Sequence, residues 1–280
     1  MDEIRIEDLK IYAYHGVYAQ ENETGQDFYV NAVLYTDTRE AGMQDSLVLS
    51  TDYGEVCHFI NDFLKLHTFK LIETMAEKTA EQILLRFPLI RALDLEIRKP
   101  QAPIGLPFSS VSVKIHREWH RVYVAVGSNM GDKYAYIEEA LQDMRENKQI
   151  KNFRASRLIE TEPYGEVTEQ EEFVNGMVEF DTLFTPEELL DFLHELEQKA
   201  GRERKIHWGP RTLDLDIIFY DDLVLDTETL TIPHSDMHNR NFVLEPLCEL
   251  APYKRHPLLH KTAAELLEDI RKFYDNRKKL

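Results

Sequence analysis

The sequence predicts an α+β chain of two domains, a ββααββ unit over residues 1–118 and an α/β unit over residues 121–280. Three observations carry this. A length of 280 residues suits two domains rather than one. Apolar patterns of strand and helix period follow in the order strand, strand, helix, helix, strand, strand, and then begin afresh. The restart falls in "REWHRVYVAVGSN", where one strand ends near Arg117 and the next begins near Arg121.

In the first half, residues 4–12 and 28–36 ("FYVNAVLYT") alternate like strands, with "HGVYAQENETGQ" between them as a loop. A helix capped near Thr51 or Asp52 carries Val56, Phe59, Ile60 and Phe63 on one stripe. A second helix carries Met75, Ala76, Thr79, Ala80, Ile83 and Leu84. The strands "ALDLEIR" and "SSVSVKIHR" close the unit around the loop "KPQAPIGLPF".

The second half opens with a strand over 121–126 and a helix from Lys133 to Glu146, followed by strands near 153–161 and 173–181. In "FTPEELLDFLHELEQKAGR", Thr185 is the helix cap, Pro186 the first helical residue, Glu188 the reciprocal capping partner and Gly201 the stop. The strand "TLDLDIIF" comes next. An amphipathic helix from Thr262 onward ends the chain.

Composition narrows the function. The chain carries 33 basic and 51 acidic side chains for a net charge of −18, which argues against a nucleic-acid partner bound through phosphate neutralisation. No apolar run is long enough to predict a membrane span, and "MDEIRIEDLK" lacks the blocks of a signal peptide. Cys57 and Cys248 stand alone in apolar contexts, so neither a disulfide framework nor a CxxC pair is expected, and a cytoplasmic location is.

Within "TLDLDIIF", Leu213, Leu215 and Ile217 share one strand face while Asp214, Asp216 and Ile218 share the other. The two carboxylates then stand roughly 7 Å apart along the strand and repel unless something positive lies between them. Mg²⁺ suits this, because it is usually held by one or two carboxylates with phosphates and water completing the shell. Arg211 precedes the pair and "GRERK" lies upstream, so acidic metal ligands sit beside phosphate-binding cations. That is equipment for phosphoryl transfer. No P-loop is present, and "VGSNMGDK" is neither that nor a full GxGxxG. A lone Asp-x-Asp is more commonly an ion-pair site. Here Trp208, Gly209 and Pro210 adjoin it, and "PHSDMHNRNF" follows.

With these motifs in view, residues 121 to about 275 resemble the 6-hydroxymethyl-7,8-dihydropterin pyrophosphokinases, through "VYVAVGSNMGD", "TEPYGEVTEQEEFVN", "GRERKIHWGPRTLDLDIIFYDD" and "IPHSDMHNRNFVLEPL". The resemblance implies a ferredoxin-like α/β fold that transfers pyrophosphate from ATP to a hydroxymethyl pterin, leaving AMP. It implies that Asp214 and Asp216 bind two Mg²⁺ ions, and that Asp216 also draws off the hydroxyl proton. Arg202 and Arg211 would clamp the phosphates, with Lys205 and His234 beside them and Trp208 on a lid loop. Asn175 would hydrogen-bond the pterin edge and Phe173 and Phe242 would stack on its faces, with Thr161 and Tyr164 also in the substrate site.

The first half is quieter. Glu21, Tyr53, Glu73 and Lys99 interrupt apolar patterns, and two of them have a structural reading, Glu73 favoured by the dipole at a helix start and Lys99 as edge protection at a strand end. His15 has no companion at zinc spacing. Residues 1 to about 118 resemble the dihydroneopterin aldolases through "YAYHGVYAQENETGQ", "TDYGEV", "LIETMAE" and "IRKPQAPI". This implies a tunnelling fold that assembles into homo-oligomeric rings with sites between subunits, and a retro-aldol cleavage of 7,8-dihydroneopterin that needs no cofactor. Glu73 would anchor the pterin, with Ile72 giving backbone contacts; Lys99 and Tyr53 would move protons, and Glu21 and Gln26 would line the site. Together the two halves would form a bifunctional enzyme of folate biosynthesis whose first product is its second substrate. The alternatives are a first half acting mainly as an epimerase, or one serving only as an assembly module for the kinase.

Overall fold

In a computed structural model that describes residues 1–163, 171–201 and 211–277, the chain divides into two compact units, Met1–Trp119 and His120–Leu280. Arg202, Lys205, Trp208 and Tyr164 lie outside the described residues.

The first unit runs β1 (Asp2–Ala13), α1 (Ala19–Thr24), β2 (Gln26–Thr36), α2 (Arg39–Gln44), α3 (Tyr53–Leu66), α4 (Ile72–Arg86), β3 (Ala92–Lys99) and β4 (Val111–Glu118). The strands form one antiparallel sheet in sequential order. Alternation decides its faces: Phe28, Val30, Ala32 and Leu34 of β2 are buried, and so are Leu93, Leu95 and Ile97 of β3. Val56, Ile60 and Leu64 of α3 and Met75, Ala76, Ala80 and Ile83 of α4 are buried at helical spacing. The α3 cap is Asp52, which accepts the Glu55 N–H at 3.1 Å. The sheet's other face is polar, with Tyr35 donating to Asp94 and Asn31 to Glu96.

One expectation is corrected here. "HGVYAQENETGQ" is not all loop, because Ala19–Thr24 is helical. The cause is local: the Glu21 carboxylate reaches back to accept the Tyr18 N–H at 3.1 Å, which satisfies a donor the first turn would leave open.

The second unit runs β5 (His120–Ser128), α5 (Lys133–Glu146), β6 (Ile150–Ala155), β7 (Ile159–Thr161), β8 (Phe173–Thr182), α6 (Pro186–Lys199), β9 (Asp214–Tyr220), β10 (Leu225–Asp226), β11 (Thr231–Ile232), α7 (Asn241–Leu250) and α8 (Ala263–Arg277). Its main sheet is antiparallel in the order β6-β8-β5-β9, with β7 paired to the start of β8. One face carries Val122, Val124, Val178 and Phe180 in a cluster with Ile137 and Leu141 of α5 and Leu189 and Leu193 of α6. The other carries Tyr123, Met177 and Phe219 in a cluster with Val243, Leu247, Leu266 and Ile270 of α7 and α8. Each face of this sheet therefore has its own core.

The single strand expected near 153–161 is instead β6 and β7. At the break, the Ser156 N–H donates to the Met177 carbonyl at 2.9 Å and the Ser156 hydroxyl accepts the Met177 N–H at 3.0 Å, so a side chain takes over a ladder bond. Leu158 fills the space over Gly176, where a Cβ would come within 2.7 Å of it. The α6 boundaries are close to those expected: Thr185 accepts the Glu188 N–H at 3.3 Å, Glu188 accepts the Thr185 N–H at 2.9 Å, and Gly201 follows in the left-handed region at φ 75°. Thr185→Ala removes the cap acceptor, and chemical denaturation of the second unit is expected to show a loss of about 1 kcal/mol.

Candidate active sites

In the first unit, a buried ion pair is the centre of the site. Lys99 ends β3 and Glu21 lies on α1; they are 7% and 8% exposed, and Lys99 Nζ donates to Glu21 Oε1 at 2.5 Å. Gln26, the first residue of β2, donates to the same oxygen at 3.1 Å. Burial pushes the Glu21 pKa up, but the hydrogen bonds from Lys99, the Tyr18 N–H and Gln26 outweigh it and hold the carboxyl below its ordinary value. Gly16 makes this possible. A Cβ there would lie 2.3 Å from the Glu21 carboxylate, so only glycine leaves room for it.

His15 ties this turn to Phe69, in the segment that leads into α4. It is 1% exposed, stacked on Phe69 and edge-on to Phe28, and its Nδ1 accepts the Phe69 N–H at 3.1 Å. Gly16 N–H donates to the Phe69 carbonyl at 2.9 Å. Ile72 and Glu73 follow at the beginning of α4, half-buried and exposed respectively. Tyr53 begins α3 and is 64% exposed. The structure thus brings Glu21, Gln26 and Lys99 together, while among the described residues no hydrogen bond or ion pair joins Tyr53 or Glu73 to them.

In the second unit, three neighbouring strands build the site. Gly127 of β5 is in register with Asn175 of β8 on one side and Asp214 of β9 on the other. Gly127 contributes no side chain, and a Cβ there would come within 2.9 Å of Asn175 Oδ1. The pocket over it is lined by Phe173, Asn175, Arg211, Asp214, Asp216 and Phe242, with Thr161 at its wall. Asn175 donates to the Thr161 hydroxyl at 2.7 Å.

The charges in this pocket are uneven. Arg211 pairs directly with Asp214. Among the described residues, the basic side chains that approach Asp216 are Arg240 at 3.9 Å and His234 at 4.0 Å. The Asp216 side chain is 37% exposed and lines the pocket. Burial and then the Asp214 charge push its pKa up, against the pull of His234, Arg240 and Arg211. Burial lowers the pKa of His234. Two carboxylates on one face, one incompletely balanced, form a donor set that fits a hard divalent cation completed by phosphates and water. Arg240 is a site residue that sequence reasoning missed. It lies in the quoted "PHSDMHNRNF", and an arginine within that motif was the available signal.

Residues 123–252 match the family 7,8-dihydro-6-hydroxymethylpterin-pyrophosphokinase, and residues 4–116 match dihydroneopterin aldolase. The pyrophosphokinase of Pseudomonas aeruginosa is 42% identical over 137 residues, covering 49% of this chain and 84% of that protein. The folic acid synthesis protein fol1 of Schizosaccharomyces pombe is 30% identical over 287 residues, covering 96% of this chain and 37% of its own length. The crystal structure of Escherichia coli dihydroneopterin aldolase in complex with neopterin is 27% identical, with a TM-score of 0.40, covering 42% of this chain and 99% of that one. The chain spans 42% and 37% of the lengths of two larger curated relatives that it matches.

The buried imidazole generates a test. Burial lowers the His15 pKa from 6.5 to about 4. The folded state then holds His15 neutral while the unfolded chain takes up a proton below 6.5, so the stability it confers is complete above that pH and is lost as pH falls toward about 4. Across that window, urea titrations should show the first unit losing up to about 3 kcal/mol more than a His15→Asn variant.

Proposed function

The chain belongs to the 7,8-dihydro-6-hydroxymethylpterin-pyrophosphokinase family through residues 123–252 and to the dihydroneopterin aldolase family through residues 4–116, and on that premise we propose that it performs both reactions in succession in folate biosynthesis. The observation that carries the reading is the pocket in which Asp214, Asp216 and Arg211 face Phe173, Asn175 and Phe242. Its lining offers charge for a triphosphate together with aromatic rings and an amide for a flat heterocycle.

In the first step, 7,8-dihydroneopterin loses glycolaldehyde. The C1′–C2′ bond breaks, its electrons pass into the dihydropterin's own imine, the C2′ hydroxyl gives up its proton, and C1′ is reprotonated. The substrate supplies the electron sink, so no metal or Schiff base is required of the protein. Lys99 handles the protons, with Tyr53 at the reacting end. Glu21, itself held by Gln26, fixes the Lys99 ammonium, and Glu73 anchors the pterin through a charge-assisted contact. The exposure of Tyr53 and Glu73 at helix starts fits a site completed by a second copy, so a homo-oligomer through the first unit is part of the proposal.

In the second step, the hydroxyl of 6-hydroxymethyl-7,8-dihydropterin attacks the β-phosphorus of ATP and the bond to the α-phosphate oxygen breaks, releasing AMP. Two Mg²⁺ ions held by Asp214 and Asp216 would supply charge neutralisation and a more acidic attacking hydroxyl. Asp216 takes the hydroxyl proton. Arg211 and Arg240 answer the charge spreading over the moving group, with His234 beside them. Asn175, held by Thr161, presents its amide to the pterin edge between Phe173 and Phe242.

The test is AMP formation from ATP and Mg²⁺ with 7,8-dihydroneopterin as the sole pterin. Pterin-dependent AMP supports both steps; AMP only with 6-hydroxymethyl-7,8-dihydropterin leaves the first unit as an epimerase or assembly module. Lys99→Ala is expected to lower glycolaldehyde release by at least about a hundredfold while the assembled mass, a multiple of 32.9 kDa, is kept. Asp216→Asn should lower AMP formation by a similar factor, about a hundredfold or more, with glycolaldehyde release unchanged.

A further inference from the structure

We propose that Asn129 is a positioning residue for pyrophosphate transfer, a buried amide that fixes the backbone of Arg211 and holds the chain leading into Phe173. The inference rests on the pyrophosphokinase reading of the second unit. Asn129 follows β5, two residues beyond Gly127, and is 1% exposed. Its N–H donates to the Arg211 carbonyl at 3.1 Å, and its Oδ1 accepts the Arg211 N–H at 2.7 Å. One residue thus meets both backbone groups of Arg211, the second through its side chain, in the manner of a strand partner.

A third contact runs the other way. Asn129 Nδ2 donates to the Glu171 carbonyl at 3.4 Å, two residues before Phe173 begins β8. Lys133 Nζ, on the first turn of α5, donates to the adjacent Glu172 carbonyl at 3.0 Å and strengthens that attachment. The same amide therefore touches the backbone of a phosphate-side arginine and the approach to a pterin-side ring. The Arg211 guanidinium pairs with Asp214, three residues along, so the clamp at residue 211 also bears on the aspartate pair.

The division of labour within one side chain makes the role separable. Oδ1 serves Arg211, where charge changes during transfer, and Nδ2 serves Glu171, beside the pterin wall. Misplacement of a charged group by a fraction of an ångström costs rate, whereas a loosened wall costs binding. Asn129→Ala removes both contacts. Asn129→Asp keeps an acceptor for the Arg211 N–H and loses the donor to Glu171.

The experiment measures kcat for AMP formation and KM for 6-hydroxymethyl-7,8-dihydropterin in the full chain, at saturating ATP and Mg²⁺, with thermal unfolding of each variant alongside. For Asn129→Ala the expected result is a kcat lower by about tenfold or more together with a raised pterin KM. Asn129→Asp should return kcat to within about threefold of the unsubstituted chain while the pterin KM stays raised. A general loss of folded protein cannot give that split, since it lowers apparent kcat without moving KM. Kinetics of Asn129→Ala within about twofold of the unsubstituted chain overturn the proposal, and so do equal kcat losses in both variants at unchanged KM. An unsubstituted chain that forms no AMP from this pterin overturns the pyrophosphokinase reading itself, and the present inference with it.

Discussion

A carboxylate drawn out of water needs a cation within reach, and both units are arranged around that requirement. Glu21 has Lys99, and Glu179, 2% exposed in the second sheet, has Arg121 and Arg154. Removing one partner from such a pair leaves an uncompensated charge and typically costs about 3–5 kcal/mol, so the pairs constrain where each element sits. The exception is informative. Among the described residues Asp216 meets Arg240 and His234 at about 4 Å, and its pKa rises where that of Glu21 falls. In the proposed reactions the Glu21–Lys99 pair serves proton handling without a metal, and Asp214 and Asp216 together offer negative charge for a divalent cation to balance.

The two sheets serve these sites differently. In the first unit, Glu21 and Lys99 come from the short helix after β1 and a strand end; Gly16 gives the Glu21 carboxylate room, and His15 and Gly16 tether this turn to Phe69, ahead of α4. In the second unit the site lies on the sheet itself. Register places Asn175, Gly127 and Asp214 side by side on three strands, and the missing side chain of Gly127 opens the floor. A bulge farther along β9 puts both Ile218 and Phe219 into the cluster with α7 and α8, so the edge strand serves a core at one end and a pocket at the other.

Much of this was legible in advance, for identifiable reasons. The strands of the first unit alternate cleanly because one sheet face is buried and the other polar. The α6 limits were legible because capping box and glycine stop are local chemistry. The face shared by Asp214 and Asp216 followed from the pleat alone. The α1 helix was missed because a six-residue segment has little periodicity, and what sets it is a side chain folding back on Tyr18. The β6–β7 break was missed because the hydroxyl of Ser156 replaces a ladder bond, which no pattern of apolar residues records. Helix α7 was not anticipated; it contains Pro246, ordinarily a warning against helix.

By itself the sequence determined the two-part ββααββ and α/β order, the polarity of each strand face and the motifs that name the two families, because these depend on periodicity and on residue types at fixed spacing. Only the tertiary structure decided which charges meet. Glu21 and Lys99 are 78 residues apart and Asn129 and Arg211 are 82, and contact at such separations is made by sheet register and packing rather than by any local preference of the chain. The same holds for Arg240, whose place beside Asp216 comes from the docking of α7 on the sheet.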